Sequence, residues 1–226
     1  MDRPITTLFM LMSADGKISS GSSDALDFDR DLPDVAGVGE GLHQYYELEQ
    51  ETDLWSLNTG RVMAKIGANE LPAPQKTPVS FAIVDSTHLT EAGVRWLCAK
   101  CREVVIITCN DAHPALRVDE KNLRVVLQER SSLPDALRRL KEDFGCQRLT
   151  VQSGGTLNAA LMRAGLIDYV DLVVAPLLVG GGGTPTLMDG PSLTAVSELG
   201  NLRVLELHSC DVLQDSYLRL RYKVVG

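Results

Sequence analysis

The chain has 226 residues, which is enough to bury a sizeable core in one larger α/β domain or in two small ones. Hydrophobic residues make up 44% of it, which excludes a disordered protein, and its formal net charge of -8 argues against nucleic acid as the main partner. No apolar run approaches the length of a membrane span, and the first apolar segment is too short for a secretory signal. Five cysteines at irregular spacing are typical of reduced thiols, so we expect a cytoplasmic protein without a membrane partner.

The first half of the chain alternates apolar strand segments with helical patterns. Short β-branched apolar runs predict strands, and apolar residues three and four positions apart predict helices. In chain order we predict a strand at 5–12, a turn at 13–17, an acidic loop with a helical turn at 24–41, an amphipathic helix at 42–57, a proline-containing loop at 68–78, a strand at 78–84, a helix at 89–100 and a strand at 104–108.

The second half continues the alternation and ends differently. We predict a strand at 123–127, an amphipathic helix at 133–144, a strand at 149–151, a glycine turn at 154–155, a helix from 156 to the glycine at 165, a buried strand at 170–179, a glycine loop at 180–183, and an antiparallel hairpin of strands at 199–212 and 216–225. This order predicts a three-layer α/β/α fold in a single domain, 1–226. Its mixed, mostly parallel sheet would end in the antiparallel hairpin.

The junction between the strand at 149–151 and the helix after it is a candidate binding site. Glycines at Gly154 and Gly155 let another group approach the backbone closely. A helix that begins there presents free N–H groups and the positive end of its dipole, which suit a phosphate. The alternative is that any strand-to-helix connection uses glycines, and a glycine pair by itself leaves both interpretations open.

The same region carries a compound motif. Residues 151–158 read Val-Gln-Ser-Gly-Gly-Thr-Leu-Asn, followed by Ala-Gly-Leu-Ile-Asp at 164–168, Ala-Pro at 175–176 and glycines at 180–181. The combination resembles the reductase domain of riboflavin biosynthesis, whose usual pattern is Val-Glu-Gly-Gly-x-Thr-Leu, Gly-Leu-x-Asp-Glu, Ala-Pro and a glycine run. The first turn, 13–17, is similar to the family's Ser-Leu-Asp-Gly-Lys and departs from it only at Ala14. The resemblance implies a dihydrofolate-reductase-like fold and a homodimer that forms contacts through the last strands and the glycine run.

The resemblance also implies an activity and a set of site residues. The activity is NADPH-dependent hydride transfer to the imine form of a small-molecule substrate, a ribosylamino-pyrimidine 5′-phosphate. Asp15 is the expected catalytic residue, which would orient the sugar or relay a proton. The implied substrate-binding residues are Ser23, Lys65 and Gln152. The implied cofactor-binding residues are Leu11 for the nicotinamide, Gly60 and Arg61 in a loop at 57–63, Ser86 for the adenosine end, and Gly154, Gly155, Thr156, Leu157 and Asn158 for the diphosphate.

Several of these positions depart from the family pattern. Gln152 stands where the family has Glu, and Asn58, Arg61 and Lys65 also replace family residues. A neutral Gln gives up a charge-assisted hydrogen bond, which commonly contributes about 1.5–3 kcal/mol. Two alternatives therefore stay open. One is a reductase of the same fold that acts on a pterin, dihydrofolate or another small C=N compound, and the other is a catalytically silent nucleotide-binding homologue.

Metal chemistry is not expected. Cys98 and Cys101 form a C-x-x-C pair, but no second pair of soft ligands stands at matching spacing, so two buried or partly exposed free thiols are expected. The zinc deaminase signature that accompanies this reductase in fused bacterial proteins is absent. We therefore expect a stand-alone reductase.

Overall fold

The structure is a computed structural model that describes residues 2–72 and 75–225. Within these residues the strands are β1 (Ile5–Ser13), β2 (Trp55–Thr59), β3 (Ser80–Val84), β4 (Val104–Thr108), β5 (Leu123–Leu127), β6 (Arg148–Val151), β7 (Tyr169–Ala175), β8 (Val204–Val212) and β9 (Leu218–Val225). The α-helices are α1 (Phe28–Asp31), α2 (His43–Glu49), α3 (Gly60–Lys65), α4 (Glu91–Lys100), α5 (Leu133–Glu142) and α6 (Gly155–Arg163). Ala73 and Pro74, inside the predicted loop at 68–78, lie outside the described residues.

The chain divides into two compact units. One comprises residues 1–5 and 53–153, and the other comprises residues 6–52 and 154–226. We call them the middle unit and the terminal unit, because the first is built mainly from the middle of the sequence. The expectation of a single domain over 1–226 stays a prediction.

The middle unit is a parallel α/β structure. Its strands lie in the order β5-β4-β3-β2-β6, and all four pairings between these neighbours are parallel. Every residue of β4 is buried, as expected for a central strand that is covered on both faces. The hydrophobic core includes Ile83 of β3, Val94 and Leu97 of α4, and Ile106 of β4. Thr90 fixes the start of α4, because its side chain accepts a hydrogen bond from the Gly93 N–H.

The terminal unit has mixed strand pairing. Its strands lie in the order β1-β7-β9-β8, where β1 and β7 are parallel and the other two pairings are antiparallel. Phe9 of β1 stacks on Tyr45 of α2, with 5.2 Å between ring centroids. Tyr217 is fully buried and donates a hydrogen bond to the Val38 carbonyl at 2.8 Å, which ties the start of β9 to the loop before α2. These contacts build a core separate from that of the middle unit.

The predicted fold class is confirmed: α/β, with mixed and mostly parallel strands and a C-terminal antiparallel hairpin. The strands predicted at 104–108 and 123–127 match β4 and β5 residue for residue. The helix predicted at 42–57 was wrong beyond Glu49. Residues 55–58 are all buried and form β2 between β3 and β6, and burial on both faces removes the alternation that marks a strand.

Other predicted boundaries differ as well, and the three largest differences have a clear cause. The segment at 57–63, expected as a loop, is the end of β2 and the start of α3. The strand predicted at 170–179 ends at Ala175, directly before Pro176, which cannot donate to a strand ladder. The first strand of the hairpin begins at Val204 rather than at 199, because residues 196–201 form a 3-10 helix.

Candidate active site

The start of α6 is open on one side. Gly154 is the N-cap residue and, as a glycine, contributes no side-chain cap. The Leu157 and Asn158 N–H groups donate to the Gly154 carbonyl at 3.0 and 3.1 Å, while the side chain of Thr156 is exposed. A nine-residue helix that begins without a side-chain cap presents partial positive charge at this end.

The two glycines at this junction have different surroundings. A Cβ added to Gly154 would have no heavy atom within 4 Å, so this position borders open space. A Cβ added to Gly155 would lie 2.2 Å from the Thr186 carbonyl oxygen and 2.5 Å from Asp189 Oδ2. Packing inside the terminal unit therefore requires glycine at 155. The open side of Gly154 is what a ligand that contacts backbone would need.

A segment after the glycine loop packs against α6. Asn158 is fully buried, and its Nδ2 donates to the Leu187 carbonyl at 3.0 Å. The Asp189 N–H donates to the Gly155 carbonyl at 3.0 Å, and its carboxylate accepts from the Thr186 hydroxyl at 2.7 Å. Asn158, an expected diphosphate residue, thus has a structural contact with this segment. The Asp189 carboxylate also places negative charge beside the first turn of α6.

The turn after β1 is bonded to the glycine loop. Asp15 Oδ1 accepts from the Ser13 hydroxyl at 2.5 Å and from the Val179 N–H at 3.1 Å, and Asp15 Oδ2 accepts from the Gly180 N–H at 2.7 Å. The hydrogen bond from Ser13, followed by the two backbone bonds, lowers the pKa of Asp15 to about 2. This carboxylate is therefore ionised near neutral pH and accepts hydrogen bonds rather than donating a proton.

Two further expected residues lie in the terminal unit. Leu11 is buried, with its side chain in the core of that unit, so only its backbone is suited to contact a nicotinamide. Ser23 is exposed, and its hydroxyl accepts from the Ala25 N–H at 3.2 Å. The contact belongs to the loop before α1. Neither residue shows a geometric feature of its own that marks a binding role.

The other expected residues lie in the middle unit. Gln152 follows β6, is half-buried, and accepts a hydrogen bond at Oε1 from the Ser56 hydroxyl at 3.1 Å. Arg61 is exposed and Lys65 half-buried, both on α3. Ser86 is exposed after the carboxyl end of β3, where its carbonyl accepts from Asn110 Nδ2 at 2.7 Å. Ligands of parallel sheets usually bind at such strand ends.

Asp85 is a buried residue of the middle unit whose carboxylate accepts several hydrogen bonds, and the sequence analysis did not identify it. Its carboxylate accepts from the Leu89 N–H at 2.9 Å, from His88 Nδ1 at 3.0 Å and from His113 Nε2 at 3.0 Å. His113 Nδ1 accepts from a backbone N–H, which leaves its proton on Nε2 as the donor to Asp85. Burial alone would raise the pKa of Asp85, but the hydrogen bonds from Leu89, His113 and His88 lower it to about 2. A Cβ at Gly60 would lie 2.2 Å from Asp85 Cγ.

Two of the expected cofactor-binding residues of the middle unit lie directly beside Asp85. Gly60 packs directly on the carboxylate, and Ser86 is the next residue along the chain. An Asp after a buried strand, followed by Ser-Thr-His, was the available signal in the sequence. It did not reveal the partner His113, because that residue is 28 positions away in the chain.

Cys98 and Cys101 are free and buried, as expected, and burial raises the pKa of Cys98 to about 11 and that of Cys101 to about 12. Both are therefore protonated thiols near neutral pH. Within residues 2–72 and 75–225, no group of three or more His, Cys, Asp or Glu side chains could hold a metal ion. Over the same residues, none of the helices has the length and apolar character needed to cross a membrane.

Residues 4–217 match the family model of the RibD C-terminal domain. The chain belongs to this family. It is 29% identical to a 2,5-diamino-6-ribosylamino-4(3H)-pyrimidinone 5′-phosphate reductase of Methanothermobacter thermautotrophicus, over 99% of this chain and 100% of the relative. A reductase of the same name from Archaeoglobus fulgidus is 28% identical, over 84% of this chain and 88% of that relative. The expected family is confirmed.

Two solved structures share the fold. RibD of Acinetobacter baumannii superposes with a TM-score of 0.71 at 15% identity, covering 100% of this chain and 59% of that one. Dihydrofolate reductase of Enterococcus faecalis, solved with NADP(H), gives a TM-score of 0.51 at 14% identity, over 98% and 97% of the two chains. The dihydrofolate-reductase-like fold is therefore confirmed.

Proposed function

We propose that this protein is an NADPH-dependent reductase that transfers a hydride to a ribosylamino-pyrimidine 5′-phosphate. The observation that carries the proposal is the match, over 99% and 84% of the chain, to two archaeal reductases named for such a substrate. Those relatives are named for the 2,5-diamino pyrimidinone phosphate, so we propose that compound as the first substrate to test. The uracil analogue, 5-amino-6-(5-phosphoribosylamino)uracil, is the second.

The start of α6 fits a diphosphate. The open space beside Gly154 and the uncapped first turn support a backbone-bound anion there, with the exposed Thr156 hydroxyl at its edge. Gly155, Leu157 and Asn158 would form the surface of the helix that contacts this anion. Within the middle unit, we propose Ser86 for the adenosine end of the coenzyme and Gly60 and Arg61 for further contacts with it. Within the terminal unit, we propose the backbone of Leu11 for the nicotinamide. NADPH supplies the hydride when bound, and the chain's residues bind it, orient it and exclude water.

For the substrate we propose contacts with Gln152 and Lys65 in the middle unit and, separately, with Ser23 in the terminal unit. The hydrogen bond from Ser56 to Gln152 Oε1 fixes the orientation of the amide. An amide can both accept and donate, so Gln152 can pair with a pyrimidine edge that offers a carbonyl beside an N–H group. It lacks the charge that a Glu would bring, which makes substrate affinity the property most sensitive to this residue.

We also propose that the protein forms a homodimer through β8. Nearly every residue of this strand is exposed, including Val204 at 64%, Leu207 at 56% and Val212 at 80%. In the described part of the chain β8 pairs only with β9, so one edge and an apolar surface are uncovered. A twofold contact between two copies would cover both. Leu207→Lys should shift the mass measured by light scattering from dimer to monomer, whereas Glu206→Gln on the same strand should not.

The enzymatic proposal is tested by coenzyme binding and turnover. Titration with NADPH, followed by nicotinamide fluorescence, should show saturable binding and a rise in melting temperature. Oxidation of NADPH should then depend on the diamino phosphate or the uracil phosphate and not on dihydrofolate. Turnover of dihydrofolate alone would favour a pterin reductase. A protein that binds no NADPH and shows no thermal shift would be a silent homologue, and the proposal would be wrong.

A further inference from the structure

The glycine loop after β7 has no side chains of its own that could pack against the rest of the unit. Residues 180–183 are four consecutive glycines, all exposed, and Gly180 and Gly181 have positive φ. Such a segment has high conformational entropy and no side chains to pack. Whatever orders it must therefore come from other parts of the terminal unit.

Two charged side chains from the turn after β1 hold this loop at both ends. Asp15 accepts from the Val179 and Gly180 N–H groups at 3.1 and 2.7 Å. Lys17 Nζ donates to the carbonyls of Gly181 and Thr184 at 2.8 and 3.2 Å. The carboxylate thus accepts hydrogen bonds from N–H groups at the start of the loop, and the ammonium group donates hydrogen bonds to the carbonyls of Gly181 and Thr184. Both sets of bonds are charge-assisted.

A continuous path of hydrogen bonds runs from this turn to α6. The Leu187 N–H donates to the Gly16 carbonyl at 3.0 Å, between the two charged residues. The Leu187 carbonyl accepts from Asn158 Nδ2, also at 3.0 Å. The Asp189 N–H then donates to the Gly155 carbonyl at 3.0 Å. Every contact in this path lies inside the terminal unit.

We propose that Asp15 and Lys17 are positioning residues that order the glycine loop and so set the first turn of α6 for coenzyme binding. The inference rests on the proposed function, because it assigns these residues to the NADPH site. It gives Asp15 a role different from proton transfer. The low pKa of Asp15 agrees with this role, since a carboxylate that must accept three hydrogen bonds has to stay ionised.

The test uses the full chain with three changes: Asp15→Asn, Asp15→Glu and Lys17→Met. The matched controls are Asp119→Asn and Lys76→Met, both at exposed positions of the middle unit. Hydrogen exchange of residues 178–186 is measured without coenzyme, and the Kd, KM and kcat are measured with NADPH. Asp15→Asn and Lys17→Met should raise exchange at the loop by about tenfold or more, the factor expected for losing one charge-assisted hydrogen bond.

The same two variants should raise the Kd and KM for NADPH by roughly tenfold while kcat changes by less than about twofold. Asp15→Glu, which keeps the charge, should recover part of the affinity. A fall in kcat of about a hundredfold with unchanged KM and unchanged exchange would make Asp15 a proton relay and overturn the inference. If the wild-type chain binds no NADPH, the proposed function fails. Loop exchange still decides the positioning role, since protection equal to wild type in Asp15→Asn would overturn it.

Discussion

Adding one methyl group to each glycine at the start of α6 should separate folding from coenzyme binding. In Gly155→Ala the new Cβ would lie 2.2 Å from the Thr186 carbonyl oxygen, whereas ordinary contacts begin near 3.4 Å. In Gly154→Ala the new Cβ meets nothing within 4 Å. The backbone at Gly154 has φ -69° and ψ 156°, which alanine adopts without strain. The two variants change adjacent residues, but Gly155→Ala should disturb packing whereas Gly154→Ala should disturb coenzyme binding.

The cost of Gly155→Ala can be worked from these contacts. Thr186 presents backbone to the new methyl, so the segment must retreat by roughly 1 Å, and such overpacking costs about 1–3 kcal/mol. The retreat also weakens the bond from the Asp189 N–H to the Gly155 carbonyl, which adds about 0.5–1.5 kcal/mol. For a chain of this size each kcal/mol lowers the melting temperature by about 2–4 °C. Gly154→Ala should cost less, about 1 kcal/mol at most, through the weaker N-cap.

The assay pairs denaturation with NADPH titration. Gly155→Ala should lower the urea midpoint and the melting temperature, while Gly154→Ala should leave both nearly unchanged and weaken NADPH binding by about tenfold or more, because the methyl enters the space proposed for the diphosphate. Wild-type affinity in Gly154→Ala would refute the placement of the diphosphate beside α6. An unchanged melting temperature in Gly155→Ala would refute the packing of residues 186–189 on the helix.

Three further predictions concern single side chains. The pKa of Asp85 is lowered from 3.8 to about 2, so its carboxylate stabilises the fold by about 2 kcal/mol above pH 4, and this contribution is lost as pH falls toward 2. Asp85→Asn should remove this pH dependence from acid unfolding curves. A variant whose stability falls with pH as steeply as that of the wild type would contradict the prediction. Gln152→Glu should raise turnover of the pyrimidine phosphate, measured as NADPH oxidation, and no change or a loss would count against that substrate. Asp189→Asn removes a negative charge beside α6 and should tighten NADPH binding at low salt while lowering stability by about 0.3–1 kcal/mol; weaker binding would show that the carboxylate helps the coenzyme.

Some of the buried parallel strands, such as β4, were predictable because their residues are nearly all apolar and β-branched. The run Val-Val-Ile-Ile-Thr at 104–108 is apolar and β-branched, so its boundaries follow from its neighbours Glu103 and Cys109. The same reasoning failed at Trp55, because the acids between 47 and 53 give the stretch the pattern of an amphipathic helix. Pairing of β2 with β3 and β6 decides that segment, and pairing partners are not visible locally.

Contacts between distant residues account for what the sequence did not show at the site. Asp15 was recognised as a polar residue at a strand end, but its partners Val179 and Gly180 lie 164 and 165 positions away. His113 is likewise 28 positions from Asp85. The motif identified the family, and the motif residues lie at the start of α6 as predicted. The atomic contacts of these residues depend on loops that are distant in sequence and lie beside the strand ends in the fold.

The glycine motif illustrates why a family signature does not equal a list of ligand contacts. Gly155 is required by the Thr186 carbonyl, and Asn158 uses its side chain to hold Leu187, so both positions are constrained even when no coenzyme is bound. Gly154 borders open space, so packing gives no reason for a glycine there. In the middle unit, Gln152, for which we propose a substrate contact, accepts a hydrogen bond from the Ser56 hydroxyl. We therefore expect a substitution at 152 to change the proposed recognition of the pyrimidine and to leave the packing of Gly155 and Asn158 on residues 186–189 intact.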